Sequence, residues 1–542
     1  MEDGSGFSST SGIYRSLYPS PPLHSFTSLT DFLFSNDSPN FSPTKPAFVD
    51  ASTGASLSYS DLRRLSSSAA SALSAAGLRR GHIALLVSTN SISFPLLSLA
   101  VLSLGAVLST ANPLLTRSEL LSQIRDSDPA LVITTLDLAL KFEFLGSDGP
   151  DLVLIETLIG DLDVNPTVQI GSPDVGPSDP AAVMYSSGTT GKRKGVVSTQ
   201  GNLIAMAHVL RHLWGEGDDE VYGCVVPMYH MFGFSVFVCG VVAAGATAVV
   251  VTPAAGRFNV ADLAAAVERH RITRLPAVPP MVVMMARKGH AAGRYWSRSL
   301  REVICSGAPL GREHLEKFGR CYPGIRLSQC YGLTETCGPV TLCDGVRGRL
   351  HASIGRLIPS VEAKILDVRM GKPLPPNKCG ELWLRGPSIM QGYLNNQEAT
   401  SLAIDVEGWL RTGDLCYFDS RGLVYLVDRI KELIKYKAYQ VAPAELEEVL
   451  SSHPGVQDVA VTSYPDEEAG EIPMACVVRK EGSKIKENDI FSFLEDKVAP
   501  YKKIRKVIFL EYIPRSPSGK ILRRHLKAAT SHQEKLNVSA RL

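Results

Sequence analysis

A chain of 542 residues, 44% hydrophobic and 20% charged, exceeds what one hydrophobic core can serve and calls for two or more globular domains. A formal net charge of +2 supplies no global field for nucleic acid or an anionic lipid surface, so any phosphate recognition is local and the ligand small. Ten cysteines without a C-x-x-C pair, in a chain that needs no stapling, argue for reduced thiols and against structural zinc.

Residues 1–45 are rich in Ser, Pro, Gly and Asp and lack a basic start followed by an apolar core. They read as a flexible leader and not as a secretory signal. From residue 46 to about 180, strand-like apolar runs (83–88, 130–134) alternate with helical stretches such as 59–77, the pattern of α/β layers with parallel strands. A second such set follows: helix over 202–214, extended chain over 220–226, strand over 248–251, helix over 260–270, strand over 301–305. Two apolar stretches, 92–115 and 224–251, have the length of membrane spans. Pro95, Gly105 and Pro113 break the first, while Pro227, His230 and glycines interrupt the second, so both are expected as buried core and no span is expected. Beyond Gly355 short strands over 361–366, 380–385 and 423–427 give a β-rich subdomain. From residue 430 a charged helical stretch and alternating elements make a compact unit of ordinary domain size. The expected class is therefore α/β: residues 46–429 as a large N-terminal domain of two parallel-type sheets plus the β-rich subdomain, and 430–542 as a small, mobile α+β C-terminal lid.

One stretch carries phosphate chemistry on its face. Ser186-Ser187-Gly188-Thr189-Thr190-Gly191-Lys192-Arg193-Lys194-Gly195 packs three glycines, four hydroxyl residues and three cations into ten positions. Glycines admit backbone N–H groups close to an anion, hydroxyls donate, and the cations supply charge. It follows the apolar run Ala181-Ala182-Val183-Met184-Tyr185, as a loop leaving a buried strand would. It is not a Walker A loop, whose second glycine would fall on Arg193.

Further along stand Gln329-Cys330-Tyr331-Gly332-Leu333-Thr334-Glu335-Thr336, Gly380-Glu381-Leu382-Trp383-Leu384-Arg385-Gly386, Trp409-Leu410-Arg411-Thr412-Gly413-Asp414, Asp428-Arg429-Ile430-Lys431-Glu432-Leu433-Ile434-Lys435-Tyr436-Lys437 and Pro514-Arg515-Ser516-Pro517-Ser518-Gly519-Lys520. In this order, from about Ile83 to Arg524, they resemble the adenylate-forming superfamily of acyl-CoA synthetases, in particular the plant 4-coumarate–CoA ligases and their peroxisomal ligase-like relatives. The resemblance implies an ATP- and Mg²⁺-dependent acid–thiol ligase with CoA as cosubstrate. It would join a hydroxycinnamate such as 4-coumarate, or a fatty or jasmonate-precursor acid, to CoA by way of an acyl-adenylate. A luciferase-like oxidoreductase on the same scaffold and a non-catalytic nucleotide-binding relative are the other readings.

By the same resemblance Ser186, Ser187, Gly188, Thr189, Thr190 and Lys194 hold the β- and γ-phosphates, Thr334 meets the α-phosphate and Glu335 helps hold Mg²⁺. Gln329 belongs to the nucleotide site, Asp414 accepts from the ribose hydroxyls and Arg429 donates to ribose or phosphate. Lys520 reaches the reacting carboxylate and α-phosphate from the lid, a task suited to a compact point charge. His230 is the gate beside the carboxylate. Phe232, Val236, Gly307, Pro339 and Val340 surround the acyl chain, Lys435 and Gln440 lie near the adenylate, and Lys431 is the hinge. Arg257, Lys437 and Ala438 meet CoA.

Three departures from the family pattern stand out. Ala438 replaces a glycine beside the pantetheine path, where an added Cβ narrows the channel. The run Ser306-Gly307-Ala308-Pro309-Leu310 is one small residue shorter than in 4-coumarate ligases, and the segment before Pro339-Val340 is one residue longer, so the acyl pocket wall is rebuilt. The ending Ala540-Arg541-Leu542 resembles the peroxisomal S-K-L address, which makes the import receptor an expected partner and the peroxisome the expected compartment, ahead of the cytoplasm.

Overall fold

The computed structural model describes residues 4–21, 26–35, 42–146, 149–164, 175–186, 193–214, 219–252, 259–296, 298–343, 353–437, 439–516, 519–523 and 525–526. Four sheets organise them, three in the large N-terminal part and one in the C-terminal unit.

A seven-stranded sheet places Ile83–Val87, Val107–Thr110, Leu131–Thr134, Asp151–Leu154 and Pro180–Ser186 in parallel. Its strand Ile83–Val87 (Ile-Ala-Leu-Leu-Val) is almost wholly buried, as expected of parallel strands covered by helices on both faces. Tyr59–Ala75 is one covering helix, started by a capping box between Ser58 and Asp61 and burying Leu62, Leu65, Ala69 and Leu73 at helical spacing. The apolar stretch 92–115 resolves into the buried helix Ser93–Ser103 and the strand Val107–Thr110. Lys194–Thr199 turns back antiparallel on Pro180–Ser186, and Gly392–Tyr393 closes that edge.

A nine-stranded sheet runs parallel through Pro46–Asp50, Thr247–Val250, Val221–Cys224, Arg274–Ala277, Glu302–Cys305 and Arg326–Leu333, with antiparallel strands at both edges. The second apolar stretch crosses it as a strand, the short helix Met231–Gly233, the i→i+5 helix Phe234–Val241 and another strand. Among the described residues no helix is long and apolar enough to cross a membrane. None of the ten cysteines is paired, and all but Cys321 and Cys379 are buried.

The third sheet is antiparallel throughout: Phe7–Ser8, Ile13–Arg15, Glu362–Leu366, Gly380–Arg385, Leu410–Phe418 and Val424–Arg429. This corrects the expectation of a leader extending to residue 45. Tyr14 is fully buried, stacks on Phe418 with ring centroids 4.0 Å apart, and its hydroxyl donates to the Leu374 carbonyl. Leu29–Phe34 is a helix capped by Ser28 that buries Leu29, Phe32 and Leu33. Polar composition hid these elements because each is short and takes most of its apolar partners from distant segments, such as the helix Ser93–Ser103 and the strand that carries Phe418.

Sheet membership changes between Arg429, at the end of the antiparallel sheet, and Ile434, at the start of a five-stranded sheet. That last sheet joins Ile434–Tyr436, Tyr439–Val441, Val456–Asp466, Gly470–Arg479 and Lys506–Phe509, with helices Pro443–Ser451 and Glu487–Leu494. It has its own core, including Ile434, Val441, Leu446, Leu450, Val461 and Val477.

Candidate active site

The phosphate-type loop joins two strands of one hairpin, with Ser186 opposite Lys194 in register. Ser187, Gly188, Thr189 and Thr190 lie outside the described residues, as do Arg257, Ala438 and the tail Ala540-Arg541-Leu542. The Lys194 ammonium stands 4.6 Å from the centre of the Tyr393 ring. The Tyr393 hydroxyl in turn donates to Glu335 Oε1 at 3.0 Å. Glu335 sits in the single turn Thr334–Thr336 that ends the Arg326–Leu333 strand, and Cys337 takes left-handed torsions (φ 56°) to reverse the chain. The expected Thr334–Glu335 pair thus lies at the carboxyl end of a parallel strand, where open α/β sheets place ligands.

A second constellation gathers where the antiparallel sheet ends. Asp414 and Arg429 are direct partners across two strands, Arg429 Nε lies 3.1 Å from Asp414 Oδ1, and the Tyr331 hydroxyl donates to Asp414 Oδ2 at 2.6 Å. Asp414 is only 2% exposed, and burial holds its carboxyl above the ordinary range although Arg429 and Tyr331 pull it down.

Lys520 comes to this constellation from the C-terminal unit. Its pKa falls to about 8, first from burial and then from the Arg429 charge, against the opposing pull of Glu432, Asp414 and Glu335. The geometric sign of docking is the residue before the lysine, since Gly519 lies against Pro279 and Pro280 of the large domain. Its loop is laced to itself: Ser516 N donates to the Lys520 carbonyl (2.8 Å), Lys520 N to Ser516 Oγ (3.2 Å) and Arg515 to the Gly519 carbonyl (3.2 Å). Arg515 also pairs with Asp458 at 2.9 Å. Gly519 is required here, because its φ is 82° and a Cβ would stand 2.6 Å from Pro280 Cδ on the large domain. Three residues after Lys520, Arg523 bonds Glu432, Glu447 (2.6 Å) and the Val461 carbonyl (3.0 Å), fixing the loop to the body of the unit.

His230 stands at the N-cap position of the short helix Met231–Gly233, and its Nε2 is buried without a hydrogen-bond partner among the described residues. Burial, helped by the positive charge of Arg193, brings its pKa down to about 4, so the ring is neutral at physiological pH. A buried polar atom left unpaired is costly, and a ligand that bonds to it recovers that cost. Val236 is fully buried in the i→i+5 helix, a geometry often found at functional sites. Phe232 is half-buried nearby in sequence, Pro339 and Val340 are buried on the Gly338–Leu342 strand, and Gly307 (φ 90°) turns the chain after the Glu302–Cys305 strand.

Several other expected residues lie at the surface of the C-terminal unit. Lys435 and Gln440 face each other across the Ile434–Tyr436 and Tyr439–Val441 hairpin, and both are exposed, as are Lys437 and Lys431. Gln329 is buried with its amide donating to the Ser353 carbonyl (3.1 Å), which makes its observed contact a structural one. The sequence reading missed the hydroxyl of Tyr331 and the whole of Tyr393. The first stood within a quoted motif and could have been found there; the second pairs with a residue 58 positions away, which no local pattern reveals.

Among the described residues no group of three or more His, Cys, Asp or Glu converges as a metal cage. Mg²⁺ asks for less: it is usually held by one or two carboxylates together with substrate phosphates. Glu335 fits that demand, since the Tyr393 hydroxyl occupies Oε1 and Oε2 accepts no hydrogen bond among the described residues.

Comparison with known proteins agrees with this geometry. Residues 36–394 match the AMP-binding enzyme family and residues 445–520 the AMP-binding enzyme C-terminal domain. The chain is 51% identical to a putative 4-coumarate–CoA ligase-like protein of Oryza sativa subsp. japonica, over 96% of each chain. It is 45% identical to the peroxisomal OPC-8:0-CoA ligase 1 of Arabidopsis thaliana, over 90% of this chain and 91% of that one. The o-succinylbenzoate coenzyme A synthetase of Bacillus subtilis, solved with ATP and a magnesium ion, superposes with a TM-score of 0.79 at 26% identity, over 93% of this chain and 99% of that one.

Proposed function

The chain belongs to the AMP-binding enzyme family as an adenylate-forming, 4-coumarate–CoA ligase-like acid–thiol ligase, and we propose that it activates an apolar monocarboxylic acid of the fatty or jasmonate-precursor kind in the peroxisome. The observation that supports the catalytic part is the seating of the Lys520 loop, Gly519 against Pro280, on the large domain that also pairs Asp414 with Arg429 and Tyr331; the charges of Arg429, Asp414 and Glu335 all act on the Lys520 ammonium. A carboxylate repels nucleophiles and has no adequate leaving group. Attack of its oxygen on the α-phosphorus of ATP forms the acyl-adenylate and expels pyrophosphate; the CoA thiol then attacks the acyl carbon, and AMP departs. The first step brings two anions together, so it depends on positioning and charge neutralisation.

In this reading Ser186, Ser187, Gly188, Thr189, Thr190 and Lys194 hold the outer phosphates, Thr334 the α-phosphate and Glu335 the Mg²⁺, whose charge offsets that of the phosphates. Asp414 and Arg429 take the ribose, and His230 Nε2 meets the acid's carboxylate or its adenylate. Lys520 bridges carboxylate and α-phosphate. Rotation of the C-terminal unit at Lys431 then withdraws Lys520 and brings in the hairpin of Lys435, Lys437, Ala438 and Gln440, with Arg257, for CoA. The exposure of that hairpin while Lys520 is docked supports such an exchange.

Two facts support the acid class. Phe232, Val236, Gly307, Pro339 and Val340 carry no side-chain group that could bond a phenol, and a relative 45% identical is named for OPC-8:0. A hydroxycinnamate is the second reading, favoured by the name of the relative at 51% identity. A panel of aromatic, medium-chain and long-chain acids, assayed for CoA-dependent AMP release with oxygen uptake followed in parallel, decides. Preference for 4-coumarate would overturn the fatty-acid reading, and oxygen consumption coupled to AMP release would favour the luciferase-like one. For the compartment, adding one residue after Leu542 is expected to leave the protein in the cytosol; continued peroxisomal import would refute the tail as the address.

A further inference from the structure

Lys194 and Glu335 carry opposite charges and stand on either side of one side chain, Tyr393. The ammonium lies 4.6 Å from the ring centre and the carboxylate accepts the ring's hydroxyl at 3.0 Å. Left to themselves, a lysine and a glutamate at such a site would close into an ion pair and neutralise each other. The tyrosine satisfies both without joining them, its electron-rich face toward the cation and its O–H dipole toward the anion.

The backbone around Tyr393 is held from several sides. Val196 is its partner across the strands, Leu394 N donates to the Gly195 carbonyl (2.8 Å), and Tyr393 N donates to Thr400 Oγ1 (2.9 Å). The same segment also grips the main chain of Glu335, whose carbonyl accepts from Met390 N at 2.9 Å. Glu335 is therefore tethered twice, by backbone and by side chain, to the strand edge that carries Lys194.

We propose that Tyr393 is a positioning residue that keeps Lys194 and Glu335 apart and aimed, the ammonium at nucleotide phosphate and the carboxylate at the divalent cation. The hydroxyl fixes one carboxylate oxygen and leaves the other for the metal; the ring face stores the ammonium until phosphate arrives. The inference rests on the reading of Glu335 as the metal's carboxylate, so the experiment separates the two.

ATP binding to the full-length protein is measured by calorimetry with Mg²⁺ and with EDTA, for the wild type, Tyr393→Phe, Tyr393→Leu and Glu335→Gln. Tyr393→Phe keeps the ring and removes only the hydroxyl, so it is expected to weaken Mg·ATP binding on the order of tenfold while metal-free ATP changes by less than about twofold. Tyr393→Leu removes the ring as well and is expected to weaken binding under both conditions. Glu335→Gln is expected to abolish the advantage that Mg²⁺ confers. If Glu335→Gln loses that advantage but Tyr393→Phe keeps it, or if Tyr393→Phe loses affinity equally with and without metal, the role of Tyr393 is overturned alone. If Glu335→Gln retains the advantage, the assignment of Glu335 falls and the role of Tyr393 with it.

Discussion

Docking Lys520 in a buried site has a pH signature that can be measured. A fall from the ordinary 10.5 to about 8 corresponds to roughly 3 kcal/mol against the charged form, at 1.36 kcal/mol per unit. Since the lysine returns to water whenever the C-terminal unit undocks, that cost falls on docking and not on global stability. In the free enzyme the ammonium is present at pH 7, half lost near pH 8 and mostly lost by pH 9. If its charge serves adenylation, kcat/KM for acid-dependent pyrophosphate exchange declines tenfold per pH unit above about 8, because this parameter reports the free enzyme. The corresponding limb of kcat lies at higher pH, since bound ATP and carboxylate stabilise the ammonium. Lys520→Arg, which cannot deprotonate in this range, is expected to exchange more slowly but without the alkaline limb. A limb that stays in place in Lys520→Arg, or a wild-type profile flat to pH 10, would refute the argument.

Other outcomes follow from neighbouring groups. His230 is protonated near 6.5 when unfolded but only near 4 when folded, so stability present above pH 6.5 is lost as pH falls through that window, by about 3 kcal/mol in all; between pH 7 and pH 4.5 urea melts should show the wild type losing about 2 kcal/mol more than His230→Phe, whose remaining loss comes from carboxylates. Asp414→Asn leaves the Arg429 guanidinium without its buried counter-charge, at a cost of about 3 to 5 kcal/mol, and adding Arg429→Gln should restore at least about 1 kcal/mol in a double-mutant cycle; simple additivity would show that the pair is uncoupled. Ala438→Gly should speed thioester formation more than adenylation in single-turnover assays, and equal effects on both would remove the channel argument.

Much of this site could be read in the sequence because the family motifs are contiguous and each carries its own chemistry. The glycine- and hydroxyl-rich loop, Thr334-Glu335 and the lysine after Gly519 are local signals, and the helix over 260–270 and the strand over 380–385 agree with the structure residue for residue. What escaped is contact between distant segments. Tyr331 with Asp414 and Tyr393 with Glu335 are set by strand register, which no composition encodes. The i→i+5 winding of Phe234–Val241 is likewise invisible in a run this apolar, where every helical period buries much the same kind of side chain. Gln329 stands between the two: its amide N–H donates to the Ser353 carbonyl, a contact between distant segments that the motif alone does not show.

The antiparallel sheet that ends in Arg429 also contains the early strands Phe7–Ser8 and Ile13–Arg15, and this sets an order of assembly. Arg15 pairs with Glu362 at 3.1 Å across a sequence separation of 347 residues. At ordinary translation rates the N-terminal strands leave the ribosome roughly 20 to 70 seconds before their partners exist. Closing so long a loop is entropically costly and slow, and until it closes the side of Tyr14 that will stack on Phe418 faces solvent or a chaperone. These strands are thus made long before they can fold, and a bulky insertion between them and their partners would burden biogenesis more than the finished enzyme.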